Sequence, residues 1–345
     1  MWRPISTPFA DLMARSIGAF KTQIAPLACL AVVAACDGPQ SALDPHGPQA
    51  RALAGLWWLM AAGAVVIWLF VVGCAIYATR VRPAAHEDFA GTAFIVGGGV
   101  ALPVVVLSPL LVYSFLLARE PPAIPGAGLR IEVIGKQWWW EVRYFPPGAE
   151  EPVIGANEVR LPAGQPVEVS LRATDVIHSF WIPNLAGKTD MIPGSVNRMV
   201  IHADAPGVFR GQCAEYCGGP HALMAFYAVA MAPDDFAAWL EREARPARTP
   251  EEPFLVEGRE LFLASGCGAC HTIRGIAAEG ELGPDLTHVG GRRSLAAGIL
   301  PNNVGTIAGW IANPQRIKPN NKMPAFNTFS GEELRALAAY LASLE

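Results

Sequence analysis

Two apolar stretches constrain this chain more than anything else in it. Leu53–Ala78 is nearly uncharged and carries Trp57, Trp58 and Trp68, while Phe89–Ala118 is longer and also uncharged. Each exceeds the roughly 20 residues a helix needs to cross hydrocarbon. The expected anchor is a two-helix transmembrane hairpin within 37–120, its helices at about 53–79 and 89–118. The connection from Thr79 to Asp88 holds Arg80 and Arg82. The positive-inside rule puts that loop in the cytoplasm and everything after Arg119 outside. Gly97-Gly98-Gly99 and Pro103 interrupt the second stretch, and small residues there let another helix approach closely. Such a hairpin is expected to pack on a larger membrane partner. Cys74 reads as inert, and His86 and Glu87 as interfacial anchors.

At 345 residues, two or three domains are expected. Hydrophobic residues make up 52% and charged ones 16%, which leans toward a membrane-attached protein. A net charge of -4 without a basic run argues against nucleic acid as a partner.

Residues 1–36 carry Arg3, Arg15 and Lys21 and then an apolar run from Ile24 to Ala35, the layout of a secretory signal. The run ends Val33-Ala34-Ala35-Cys36, which resembles a bacterial lipobox. Cys36 is therefore read as a lipidated first mature residue, in preference to a plain signal or signal anchor. Met13 is an alternative start. Cys29 reads as filler of the removed segment.

The densest chemistry lies in Cys213-Ala-Glu-Tyr-Cys217-Gly-Gly-Pro-His221-Ala-Leu-Met224. Thiolate, imidazole and thioether donors select copper over magnesium, calcium or manganese. A mononuclear blue site uses one cysteine, so Cys213 is in excess of it. Two thiolates can bridge two metals, and such a pair can share one electron with little rearrangement. The alternative, a Cys213–Cys217 disulfide, gives no reason for His221 and Met224 at ligand spacing.

Around this loop, strand-like runs occur at Leu129–Ile134, Trp138–Tyr144, Val153–Leu161, Val167–Arg172, Val196–Ala203, Gly207–Cys213 and Met224–Met231. They predict an all-β sandwich or barrel over 129–244, closed by a short helix opening at Pro233. His178 ends one strand run, while His202 lies inside another and reads as a packed or surface residue. Of Trp138-Trp139-Trp140, at least one member should be exposed, because alternate strand residues face opposite ways.

Arg245–Pro253 reads as a charged, proline-rich linker. Beyond it, 254–345 opens with a helical pattern and then Cys267-Gly268-Ala269-Cys270-His271. Cys-x-x-Cys-His is the attachment signature of c-type haem, with His271 as proximal iron ligand, and a bare redox dithiol would not need the histidine. Met323, in a loop before the last helix, is the candidate sixth ligand in preference to His288. Ser330-x-x-Glu333 reads as a capping box for that helix, and Trp310 as packing near the haem.

Four separated segments carry a family resemblance. They are Gly135-Lys136-Gln137-Trp138-Trp139-Trp140, His178-Ser179-Phe180-Trp181-Ile182-Pro183, Gly187–Gly194 and Gly211–Gly218. They resemble subunit II of haem-copper cytochrome c oxidases over roughly 45–240, and Gly283-Pro284-Asp285-Leu286 extends a likeness to class I cytochromes c. The resemblance implies a cupredoxin-like Greek-key sandwich and an all-α cytochrome c domain. It implies a binuclear copper A centre with Cys213 and Cys217 bridging, His178 and His221 as terminal ligands, Met224 as weak ligand and Glu215 binding through its carbonyl. The Glu215 side chain would face a magnesium ion shared with subunit I, and Trp138 would be where electrons enter. The whole would be the electron-input subunit of a proton-pumping terminal oxidase in a bacterial inner membrane, multi-pass, with its copper and haem domains on the periplasmic side. Its expected partners are subunits I and III, with cytochrome c or a quinol–cytochrome c reductase as donor. The other reading is a stand-alone membrane-anchored copper and haem carrier. The triple glycine departs from the family's second helix, which weakens a proton-uptake role for Glu87.

Overall fold

The computed structural model describes residues 38–81, 91–118 and 128–345. The signal at 1–36 with Cys36, the loop residues His86 and Glu87, and the proline stretch at 121–126 lie outside these residues.

Helix α1 spans Pro48–Arg80 and α2 spans Thr92–Leu117, both apolar and long enough to cross a membrane. The first starts ahead of Leu53 because Pro48 suits a first helical turn, where its missing N–H costs nothing. The triple glycine does not break α2. It opens one π-turn at Gly97–Ala101, and the helix continues. A Cβ at Gly97, Gly98 or Gly99 would meet nothing within 4 Å, so this strip stays open to a neighbouring helix. Trp58, Trp68 and Phe115 are 56%, 62% and 66% exposed, a surface that water does not tolerate over such length. Both helices have the length and the apolar surface of membrane anchors.

The start of α1 is stapled to the β-domain. Asn184 Nδ2 donates to the carbonyls of Gly38 and Asp44, and His46 N donates back to Asn184 O at 2.7 Å. Arg51 pairs with Asp204.

The β-domain is a sandwich of two five-stranded sheets. One has the order β3 (Val153–Ala156), β2 (Trp139–Phe145), β1 (Arg130–Lys136), β5 (Val167–Ala173), β8 (Asn197–Ile201). The other has β4 (Glu158–Pro162), β10 (Ala225–Met231), β9 (Gly207–Cys213), β6 (His178–Trp181), β7 (Thr189–Met191). Only the β1–β5 and β4–β10 pairs are parallel. On β2 the alternation puts Trp140, Val142 and Tyr144 inward. Trp140 meets the stacked pair Phe180 and Phe226, whose centroids are 4.6 Å apart, and this aromatic cluster lies beneath the cysteine loop.

Three expectations change here. The single run Val153–Leu161 divides at Asn157, whose φ is +60° and whose side chain accepts from Trp140 N. There the chain leaves one sheet for the other. His178 begins a strand rather than ending one, and β6 and β7 are too short and too interrupted by proline and polar residues to read as runs. His202 falls just beyond the end of β8.

Helix α3 (Pro233–Glu243) packs Phe236 and Trp239 on Tyr144. In the C-terminal domain, α4 (Pro253–Ala264) crosses α7 (Gly331–Ala342), with α5 (Val304–Ala312) and the short α6 (Pro314–Ile317) between them in sequence. The crossing is close because Gly258 allows it: a Cβ there would sit 2.2 Å from Ala336 O. Ser330 and Glu333 form the expected capping box of α7.

Residues 245–253 are not a free tether. Ala247 N donates to Arg274 O at 2.9 Å, His288 Nε2 meets Arg245 O at 3.0 Å, and the Arg274 side chain donates to the carbonyls of Glu243 and Ala244 just before the linker. His288 is thus a buried clamp on the linker rather than a simple loop residue. Further across the junction, Arg293 N donates to Glu158 Oε2 and Arg160 Nη2 to Gly291 O. The two domains form one docked unit.

Candidate metal and haem sites

Sheet register assembles the first site. Cys213 ends β9 and lies opposite Phe180 of β6, which brings His178, two residues earlier, beside it. The loop then folds back through a single 3₁₀ turn, His221–Leu223, and Met224 returns just before β10. Cys213 N donates to Met224 O at 2.8 Å, closing the loop on itself.

The donor atoms converge. The Cys213 and Cys217 sulfurs lie 3.8 Å apart, too far for a disulfide and close enough to flank shared ions. His178 Nδ1 is 3.8 Å from Cys213 Sγ, and His221 Nδ1 is 3.5 Å from Cys217 Sγ. Met224 Sδ is 3.8 Å from Cys217 Sγ, and Glu215 O is 3.2 Å from Cys213 Sγ. One ligand atom from each of His178, Cys213 and Cys217 falls within 4.8 Å of the others. Two imidazoles therefore stand at either end of a sulfur pair, with a thioether and a carbonyl alongside. This soft set fits copper.

His178 is fully buried and oriented by Asp175, whose Oδ1 lies 2.9 Å from Nε2. That bond turns Nδ1 toward the sulfurs. Asp175 is fixed in turn by Gln137 N and Val176 N. Burial favours neutral His178, but the hydrogen bonds to Asp175 and Cys213 outweigh it and raise the imidazole above its ordinary range. Between the cysteines, a hydrogen bond from Cys217 stabilises the Cys213 thiolate and holds it well below the ordinary thiol range. Gly135 makes room for His178: a Cβ there would be 2.8 Å from its ring.

Of the tryptophan triplet, none is exposed. Trp140 is core, while Trp138 and Trp139 are half-buried, the latter under Lys136 Nζ. The Trp138 indole N–H donates to Cys217 O at 3.0 Å, and Gln137 Nε2 donates to the same carbonyl at 2.8 Å. Trp138 is thereby coupled directly to the cysteine loop. On the loop's outer side, Tyr216 is 74% exposed, and the Glu215 side chain is 44% exposed with Lys188 Nζ at 4.0 Å.

The second site lies in the C-terminal domain. Gly266, at φ +74°, turns the chain from α4 into the 3₁₀ turn Cys267–Ala269. His271 follows, its N–H bonded to Cys267 O. His271 Nδ1 donates to Pro284 O at 2.7 Å, which leaves Nε2 as the ring's coordinating nitrogen. Burial pushes this imidazole down, so it stands neutral, the form a metal requires. Gly283 lies against the ring's flank: a Cβ there would be 2.4 Å from Cε1. Cys267 and Cys270 are free thiols, half-buried on the same turn. Met323 packs against the domain's core, in a loop pinned by Gln315 Nε2 on Met323 O at 3.0 Å. Trp310 is half-buried. Two thiols, a neutral imidazole and a thioether fit a covalently attached haem.

Sequence reasoning missed Asp175 and Gln137. The only local signal for Asp175 was its place three residues before His178.

Comparison with known proteins bears on both sites. Residues 145–231 match the family "Cytochrome C oxidase subunit II, periplasmic domain", and residues 255–345 match "Cytochrome c". "Cytochrome c oxidase subunit 2" of Alkalihalophilus pseudofirmus is 35% identical over 326 residues, covering 90% of this chain and 93% of the relative. This chain belongs to the cytochrome c oxidase subunit 2 family. The Bacillus subtilis protein of the same description is 31% identical over 71% of this chain and 72% of its own length. The solved periplasmic domain of subunit II of cytochrome oxidase from Bradyrhizobium japonicum is 32% identical, with a TM-score of 0.30, over 35% of this chain and 96% of that structure. As a subunit 2 with its own cytochrome c domain, the chain is a membrane-anchored component of a haem-copper oxidase. It serves electron input and uses copper and haem.

Proposed function

We propose that this chain accepts electrons at a c-type haem and passes them to a binuclear copper centre. From there they reach the haem of subunit I, where oxygen is reduced to water. Cys267 and Cys270 would hold the haem covalently, with His271 and Met323 on its iron. Cys213 and Cys217 would bridge two copper ions, with His178, His221, Met224 and the Glu215 carbonyl completing the set. When bound, the two groups supply successive one-electron stations. The exposed Glu215 side chain would meet the magnesium shared with subunit I. Trp138 would be the input side of the copper loop. The proposal keeps a signal at 1–36 with lipidation at Cys36, an anchor at 37–120, and the domains 129–244 and 254–345 on the periplasmic side. It also keeps subunits I and III as partners and cytochrome c, or the reductase that feeds it, as donor.

The sulfur pair between two imidazoles carries this reading, because one thiolate would suffice for a mononuclear copper site. This chain's own residues prepare the transfer. Asp175 fixes the tautomer of His178, and Pro284 fixes that of His271. Burial of the Cys213–Cys217 pair excludes water and limits reorganisation.

Solubilising the full chain and counting metals tests the proposal. Two copper ions and one haem c per chain are expected, together with a partner subunit carrying further haem and a magnesium ion. A chain that purifies alone would mean a free-standing carrier instead. A finer test is Asp175→Asn. Loss of the orienting carboxylate should weaken copper binding by about 10–100-fold without unfolding the sandwich. Competition with a copper chelator reads this directly, and an unchanged affinity rules out Asp175 as the orienting group.

A further inference from the structure

Lys318 is a buried charge that none of the chemistry above uses. It caps the short helix α6 at the cytochrome domain's inner face, and only 3% of it is exposed. Its Nζ donates to Trp138 O in the copper domain at 2.7 Å and to Ala296 O in the cytochrome domain at 3.1 Å. Among the described residues it forms no ion pair. Burial pushes the ammonium down to about 7. An apolar side chain of similar length would fill this space at lower cost than a desolvated ammonium. The lysine therefore has a role beyond filling.

Its surroundings show what that role is. Two residues on, Asn320 packs against Gly219 of the cysteine loop, so closely that a Cβ on Gly219 would lie 2.8 Å from Asn320 Nδ2. The Ala296–Gly298 loop seats on the other arm of the same structure. Ala225 N donates to Ala297 O at 3.0 Å, and Arg210 Nη1 donates to Gly298 O at 2.8 Å. Ala225 directly follows Met224. Lys318 is thus the side chain that holds the copper loop's tryptophan and the cytochrome loop in one hydrogen-bonded unit. The segment that carries it continues into Met323, and Gln315 binds the carbonyls of both Asn321 and Met323. A shift at Lys318 would be carried into the haem-side loop.

We propose that Lys318 is a positioning residue that pins the Met323 loop of the cytochrome domain against Trp138 and so sets the rate of electron transfer between the two domains. This rests on the copper-and-haem reading above. Tunnelling falls exponentially with separation, so a small loss of register between docked domains appears as a large loss of rate. The pin acts between the domains. It does not act on an external donor reaching the haem.

The test is Lys318→Met in the full chain, purified within its oxidase. Copper content, haem content and the rate at which reduced soluble cytochrome c reduces the haem should match the parent protein. Haem-to-copper transfer, followed after flash reduction of the haem, should slow by about tenfold or more. Amide exchange at 216–220 and 296–298 should quicken by about tenfold, because two carbonyls lose their shared donor. Parental transfer in the variant overturns the proposal, whatever the exchange shows. If the parent itself shows no haem-to-copper transfer, the copper-and-haem reading fails. Exchange then decides on Lys318 alone: unchanged protection overturns the pin, and faster exchange supports it. If methionine prevents folding, Lys318→Leu decides by the same comparison, since it too removes the donor.

Discussion

Cys213→Ser is expected to abolish the copper pair and leave the haem in place. A serine hydroxyl does not ionise near neutral pH and is a hard, weak donor, whereas the site depends on a soft bridging thiolate. Cys213 sits between His178 Nδ1 and Cys217 Sγ at 3.8 Å each, so it is the shared edge of the donor set rather than a replaceable corner. The fold should survive the change. Serine is nearly isosteric, its hydroxyl can donate to Glu215 O, and the Cys213 N to Met224 O bond belongs to the backbone. An incompletely satisfied buried hydroxyl costs about 1–3 kcal/mol, against about 5–15 kcal/mol of stability for an ordinary domain. Haem attachment depends on Cys267 and Cys270 in the other domain. Metal analysis and the visible spectrum should therefore diverge, with copper absent and the c-type haem bands intact. Unchanged copper content would refute the assignment of Cys213.

The same geometry explains which parts of the site were legible from the chain and which were not. Cys213, Glu215, Cys217, His221 and Met224 lie on one loop, so their spacing alone exposes the donor set. The same is true of Cys267, Cys270 and His271. His178 lies 35 residues before Cys213 and comes beside it only through the β6–β9 register. Residues alone pointed to it weakly, and the family likeness supplied the rest. Asp175 was overlooked because an isolated acid near a strand end carries no signature. Asn157 hid a switch between sheets, since an asparagine at positive φ looks like any polar strand residue.

The relation between the domains was the least legible part. Composition made Arg245–Pro253 read as a linker, and a flexible linker would raise the donor's local concentration to about the millimolar range. The partners that deny it freedom, Arg274 and His288, lie some way along the chain. Lys318 and Trp138 are separated by 180 positions, and neither advertises the other. Helices and ligand loops are local patterns, whereas docking is decided by complementary surfaces that only folding brings together.

Gly283→Ala is expected to remove His271 from the iron while leaving copper untouched. The new methyl would lie 2.4 Å from Cε1 of His271, 2.8 Å from Nδ1 and 2.9 Å from Nε2. No rotamer of the alanine relieves this, because the Cβ is fixed by the backbone. The backbone itself is held, with Gly283 N donating to Cys270 O at 2.7 Å. The imidazole must therefore move, and moving it breaks the Nδ1 bond to Pro284 O. Overpacking of this kind costs about 1–3 kcal/mol, and the lost hydrogen bond about 0.5–1.5 kcal/mol. Together these are a large fraction of a small domain's stability but less than all of it. The capped and close-packed α4–α7 crossing is remote from the change and keeps the domain folded. The thioether bonds at Cys267 and Cys270 would still retain the haem, now without its oriented proximal ligand. The bands of the reduced c-type haem should then shift on adding carbon monoxide, which a six-coordinate histidine–methionine haem resists, and the copper content should match the parent protein. A variant that stays six-coordinate and refuses carbon monoxide would show that the imidazole tolerates the methyl group and that Gly283 does not set its position.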